Sequence, residues 1–112
     1  SMTNRYIVQG QLSDGKPGYW NSGEWWADRD KAKVYKMKSA ADKVVTEHGG
    51  EVIQLVSNLK NQSVYAYDLL NVIKMLRIYN RGARYAYGVA SKMIEDLLEE
   101  QGIDIEVELA FL

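Results

Sequence analysis

The stretch Y-N-R-G-A-R-Y-A-Y-G, residues 79–88, decides how the second half of the chain is built. It lies between two apolar periodicities that both read as helix. Leu69, Val72, Ile73, Leu76 and Tyr79 form one stripe, and Ala83, Ala86, Tyr87, Ala90, Met93, Ile94, Leu97 and Leu98 form the other. In one reading, Asn80-Arg81-Gly82 is a tight junction between two antiparallel helices, with Gly82 in the left-handed conformation. In the other, the helix runs through: positions 69, 73, 76, 80, 83, 87, 90, 94 and 97 keep a three-four spacing, with Asn80 on the seam. A through-helix of about 35 residues would be roughly 50 Å long. Its far end would need a second subunit to bury it, and Asn80 would fix the register of a helix dimer. Gly82 and Gly88 each weaken a helix by up to about 1 kcal/mol, which favours the break. Self-association as a homodimer is among the expectations.

The same stretch carries cations. Lys74, Arg77, Arg81 and Arg84 follow one another at spacings of three, four and three, so a continuous or slightly bent helix aligns them beside Tyr85. Such a row can contact phosphates while Tyr85 stacks on a base, which makes nucleic-acid or nucleotide binding one functional reading. A solvated polar face is the plainer one. Glu95, Asp96, Glu99 and Glu100 crowd the C-terminal end of the second helical stripe, where the helix dipole disfavours acids. They call for a neutralising lysine or a partner surface.

Beyond Gly102 the pattern changes to strict alternation. Ile103, Ile105, Val107, Leu109 and Phe111 fall on one face and Asp104, Glu106 and Glu108 on the other, which predicts a final strand. Its acids could pair with Lys33, Lys36 or Lys38 on a neighbouring strand. That pairing would account for the charge distribution. Residues 31–92 hold eleven Lys/Arg against four Asp/Glu, whereas residues 93–112 hold seven acids and no base, in a chain of net charge −1.

The first half reads as sheet around one helix. Arg5–Leu12 is a strand, residues 13–18 a turn rich in Gly and Pro, and residues 19–21, or as far as Trp26, the return strand of a hairpin. Residues 31–38, KAKVYKMK, read as a short strand or extended segment, and as an edge strand or a bulge because neither alternate face is cleanly apolar. Ser39, with Asp42 three residues on, resembles a capping box for a helix through Ala41, Val44, Val45 and His48, and Gly49-Gly50 ends it. Residues 51–56, EVIQLV, are apolar on both faces and read as a central strand.

All three tryptophans, Trp20, Trp25 and Trp26, fall within GYWNSGEWW. Tryptophan among turn residues marks a binding hot spot or a cap on the core. Neighbours on an extended segment face opposite sides, so Trp25 and Trp26 do not both point inward. The three are the candidate partner-binding residues.

The chemistry of bond-breaking is sparse. There is no cysteine, and the single histidine, His48, sits where a helix end accommodates a cation. No His/Asp/Glu group has metal-ligand spacing, no Gly-rich loop leads from a strand into a helix, and no apolar run is long enough to span a bilayer. No catalytic residue, metal or cofactor is assigned, and a soluble cytoplasmic protein without a membrane partner is expected.

The run from Trp25 to Val44, W-x-x-D-x-D-K-A-K-V-Y-x-x-K-S-A-A-D-K-V, followed by G-G-E-V-I, resembles small bacteriophage and mobile-element proteins. The likeness covers the first half. It implies a non-enzymatic binder of a host component, such as a host protein, or of a small ligand, acting in the host cytoplasm as a defence inhibitor or in host takeover. The fold expected for residues 1–112 is a single α+β domain. It has a small, mostly antiparallel sheet with helices on one face, a C-terminal helical pair or one long helix, and a final strand.

Overall fold

The computed structural model describes residues 4–59, 64–83 and 85–112, with the backbone alone at 64–65, 79–83 and 85–87. The expected α+β class is what forms, and the chain divides into two compact units, Ser1–Val56 and Ser57–Leu112.

The first unit is a four-stranded antiparallel sheet built from β1 (Asn4–Gln11), β2 (Pro17–Asn21), β3 (Glu24–Trp26) and β4 (Glu51–Val56), in the order β3-β2-β1-β4. A helix, α1 (Lys38–His48), packs against β1 and β4. Ile7 and Val8, neighbours on β1 that face opposite sides, are both buried, as the inner position of that strand requires. The return strand ends at Asn21, as its shorter form expects, and Glu24–Trp26 is a further strand. Ser22 and Gly23, both at positive φ (52° and 82°), turn the chain between Asn21 and Glu24. This is the two-residue hairpin geometry whose twist matches the flanking strands.

Three further expectations for this unit are corrected. Glu51–Val56 is an edge strand and not a central one, since among the described residues it forms a ladder with β1 alone. Apolar residues on both faces report what lies above and below a strand, and say nothing of neighbours beside it. Residues 31–38 form no strand. A 3-10 turn at Arg29–Lys31 leads into a segment that joins the sheet by one bridge, Tyr6 and Tyr35 exchanging N–H···O bonds of 2.9 and 2.7 Å. With no apolar face to bury, the segment gains little from a longer ladder. The capping box is also absent. The helix starts one residue before Ser39, Met37 stands at its N-cap without a side-chain bond, and Asp42 accepts from Lys38 Nζ at 3.0 Å.

The second unit is helical: α2 (Val64–Ala83), α3 (Tyr85–Glu100) and α4 (Ile105–Leu109). Arg77 Nε donates to Glu95 Oε1 at 3.1 Å. Residues eighteen apart on one continuous helix would be about 27 Å apart, so the chain folds back between them. Two helices form, and the reversal comes later than Asn80-Arg81-Gly82, which α2 includes.

Leu59, Ala66, Leu70, Ile73, Leu98, Ile103 and Ile105 make the core of this unit. α3 ends in a Schellman arrangement, with Gly102 N–H donating to Glu99 O at 2.9 Å and Ile103 N–H to Leu98 O at 3.2 Å. Ile103 and Leu98 share the core cluster, the apolar contact that usually accompanies this cap.

The final strand does not form. Asp104 caps α4 by accepting from Val107 N–H at 3.3 Å, and Ile105, Glu108 and Leu109 turn inward at helical spacing. Over so few residues an alternating pattern also contains an i, i+4 pair, and the aspartate before it decides for helix.

Candidate functional site

The β2–β3 hairpin separates the three tryptophans. Trp20 pairs with Trp25 across the ladder and Tyr19 with Trp26, so Trp20 and Trp25 share one face while Tyr19 and Trp26 share the other. On the first face Trp20 and Trp25 meet edge to face, ring centroids 5.1 Å apart, and Trp20 stacks on the His48 imidazole at 4.2 Å. His48 comes from the last turn of α1, which identifies this as the face that α1 covers. Trp25 lies over two glycines. A Cβ on Gly10 would come within 2.8 Å of its ring. One on Gly50, which has φ +86°, would come within 2.6 Å of Gln9 O and 3.0 Å of the indole. Two of the three predicted partner-binding tryptophans are thus engaged in packing, and Trp26 is left.

Trp26 is 38% exposed, and its indole N–H donates to Asn21 O at 3.1 Å. Asn21 Nδ2 in turn donates to Lys31 O at 2.8 Å, tying the hairpin tip to the 3-10 turn. The sheet register extends Trp26 into a row across all four strands: Trp26 pairs with Tyr19, Tyr19 with Gln9, and Gln9 with Glu51. Trp26 and Glu51 are exposed and the two between are partly so. Tyr19, Gln9 and Glu51 were not singled out from the sequence. Ser22-Gly23, read as a hairpin turn, would have fixed the register that reveals them.

The basic row fares differently. Arg77 is 32% exposed at its side chain and serves two carboxylates, donating to Glu95 Oε1 from Nε (3.1 Å) and to Glu106 Oε1 from Nη2 (2.9 Å). Partial burial acts to lower the Arg77 pKa. Hydrogen bonds and charges from Glu106 and Glu95 outweigh it and hold the group above its ordinary value. Lys74 is exposed, with Nζ 3.4 Å from Leu112 O. Arg84 lies outside the described residues, as do the side chains of Arg81 and Tyr85.

Two of the four acids near the end of α3 have partners nearby, Glu95 with Arg77 and Asp96 with Lys92 at 2.8 Å. The expected pairing of Asp104, Glu106 and Glu108 with Lys33, Lys36 or Lys38 is replaced. Glu106 goes to Arg77, Asp104 caps α4, and Glu108 accepts from Ser57 Oγ (2.9 Å) and Asn58 N–H (2.8 Å).

Among the described residues no group of three or more His, Asp or Glu is placed to hold a metal ion, and no helix is long and apolar enough to cross a membrane. No protein-family model matches this chain, and searches of curated proteins and of solved structures return no match either.

Proposed function

We propose that the chain is a small non-enzymatic binding protein that docks a protein partner on the row Trp26, Tyr19, Gln9 and Glu51. The observation that carries this reading is Trp26 itself, a large aromatic left open on a two-residue hairpin with its N–H already satisfied. A tryptophan held this way loses little conformational freedom on binding and offers the kind of area that dominates interface energetics. The amide of Gln9 and the carboxylate of Glu51 supply polar contacts along the same line. The likeness of residues 25–44 to bacteriophage proteins supports a host-cell protein as the partner, with inhibition of a host defence as the outcome.

Affinity capture from bacterial lysate, with wild type beside Trp26→Ala and Tyr19→Ala, tests the row. Truncating a hot-spot aromatic typically costs about 2–4 kcal/mol, so a retained partner should be lost or weakened by roughly 30-fold or more. Capture of the same species by both variants at wild-type strength would sink the reading. A captured nucleic acid whose retention falls steeply with salt would favour the cationic row of α2 instead.

A further inference from the structure

The helical unit carries an apolar surface that its own core does not use. Arg77 and Lys74 mark the side of α2 turned toward α4, through Glu106 and through Leu112 just beyond it. On α3 the corresponding side is marked by Glu95, which shares Arg77 with Glu106, and by buried Ser91 and Leu98. At about 100° per residue, Val72 and Met75 lie roughly 150° around α2 from that direction and Ile78 roughly 90°. Val89, Met93 and Leu97 lie roughly 130–170° around α3. Because α4 packs against both helices, Val72, Met75, Val89, Met93 and Leu97 share the face opposite α4 with Ile78 at its edge, and each of the six is 42–65% exposed.

The layout of the six repeats under a two-fold rotation. Val72 and Ile78 stand three residues either side of Met75, and Val89 and Leu97 stand four either side of Met93. The Arg77–Glu95 bond sets residues 77 and 95 near one level, which in antiparallel helices places Met75 within about one turn of the level of Met93. A two-fold axis crossing α2 at Met75 and α3 at Met93 therefore lays each apolar line antiparallel on its own copy. The same axis sets Lys92 of one chain near Asp96 of the other, opposite charges now paired within α3 at 2.8 Å.

The six side chains leave on the order of 500 Å² open per chain, so pairing two copies buries about 1,000 Å², where specific interfaces begin. We propose that two copies of this chain associate face to face through Val72, Met75, Ile78, Val89, Met93 and Leu97, forming an antiparallel four-helix arrangement of two-fold symmetry. This proposal does not depend on the role assigned to Trp26.

The absence of cysteine from the sequence makes thiol cross-linking a clean test. Met93→Cys places its thiol beside the axis, whereas Met37→Cys, at a position 67% exposed, lies off this face. Under mild oxidation Met93→Cys should give a disulfide-linked dimer at least about ten-fold faster than Met37→Cys, because only near the axis do two copies hold the residue within disulfide reach. Sedimentation equilibrium should show a wild-type dimer above about 10 µM. Met93→Glu, which sets two carboxylates against each other in an apolar seam, should raise its dissociation constant about 100-fold or more. Should Met93→Glu lose helical circular dichroism, the cross-linking comparison decides alone. A wild type monomeric at about 200 µM, equal cross-linking at residues 37 and 93, or a folded Met93→Glu that dimerises as before would each overturn the proposal.

Discussion

The sheet unit and the helical unit solve the same problem in opposite ways. In the first, two of three tryptophans are absorbed by each other, by His48 and by the bare backbone at Gly10 and Gly50. Its exposed large apolar residues, Trp26, Val34, Met37 and Val56, are dispersed. In the second, Arg77 is paired with Glu95 and Glu106 within the unit while a whole line of Val, Met, Ile and Leu stays open. A sheet meets its backbone hydrogen-bonding needs along its ladders and can bury bulky side chains under one short helix. Two amphipathic helices of 20 and 16 residues, with only a five-residue third helix to cover them, have more apolar surface than they can hide. The difference separates a unit whose spare capacity is one aromatic row from a unit whose spare capacity is a face.

All three tryptophans lie in the sheet unit and the long helices in the other, so the two can be followed separately. Indole fluorescence reports one and far-ultraviolet circular dichroism mainly the other. The largest effect is expected from Ile73→Ala, which opens a cavity beside Leu70 in the fully buried core of the helical unit. A loss of about 2–5 kcal/mol in denaturant unfolding is expected, seen first in the helical signal. Gly50→Ala should follow, at about 2–3 kcal/mol, because the added methyl meets Gln9 O at 2.6 Å in a backbone conformation that L side chains rarely adopt. Its signature is a shifted fluorescence transition. If each variant moves both signals by the same amount, the units unfold as one and the contrast drawn between them has no thermodynamic counterpart.

A smaller effect is expected from Glu108→Gln. The carboxylate is buried, and both of its oxygens accept, from Ser57 Oγ and from Asn58 N–H. Glutamine keeps the shape but offers one oxygen and one NH2, so one donor is left facing another donor. A cost of about 1–3 kcal/mol is expected, confined to the helical signal. Two-probe urea titration measures it, and no change would mean the carboxylate is not needed to hold the Ser57-Asn58 segment.

How much of this was legible in the sequence follows the length scale of each signal. α1, the helical character of residues 69–98, β1 and the glycine after α3 could be read from period and punctuation, because each is set by its own residues, whereas the period alone does not decide between one helix and two. Short features depended on partners. KAKVYKMK at 31–38 looks extended but finds only Tyr6 to bridge, and the alternation of 103–112 yields to the cap from Asp104. Position in the sheet was hidden for a different reason: EVIQLV reports the layers that cover it, and the strand order depends on pairing far along the chain. For the candidate site, the alternation of Trp25 and Trp26 was readable, and the structure assigns Trp25 to the packed face and Trp26 to the open one. The row through Tyr19, Gln9 and Glu51 was not, since it exists only in the register of four strands. Arg77 was read as a cation for a partner, and nothing local to α2 reveals that Glu95 and Glu106 occupy it.

The smallest expected effect tests the aromatic row most directly. Trp26→Ala removes a partly exposed ring and one exposed N–H···O bond to Asn21, so stability should fall by less than about 1 kcal/mol. Trp25→Ala is the control on the opposite face. It uncovers the Gly10 and Gly50 backbone and deprives Trp20 of its edge contact, at a cost of about 2–3 kcal/mol, less than a fully buried aromatic because Trp25 is only partly buried. Thermal melts followed by fluorescence compare the two directly. A Trp26 variant as damaged as the Trp25 variant would mean that Trp26 is structural, and that a hairpin of ten residues uses all three tryptophans for its own packing. A large gap between the two leaves Trp26 as an aromatic whose retention stability alone does not explain, which is the condition a binding residue must meet.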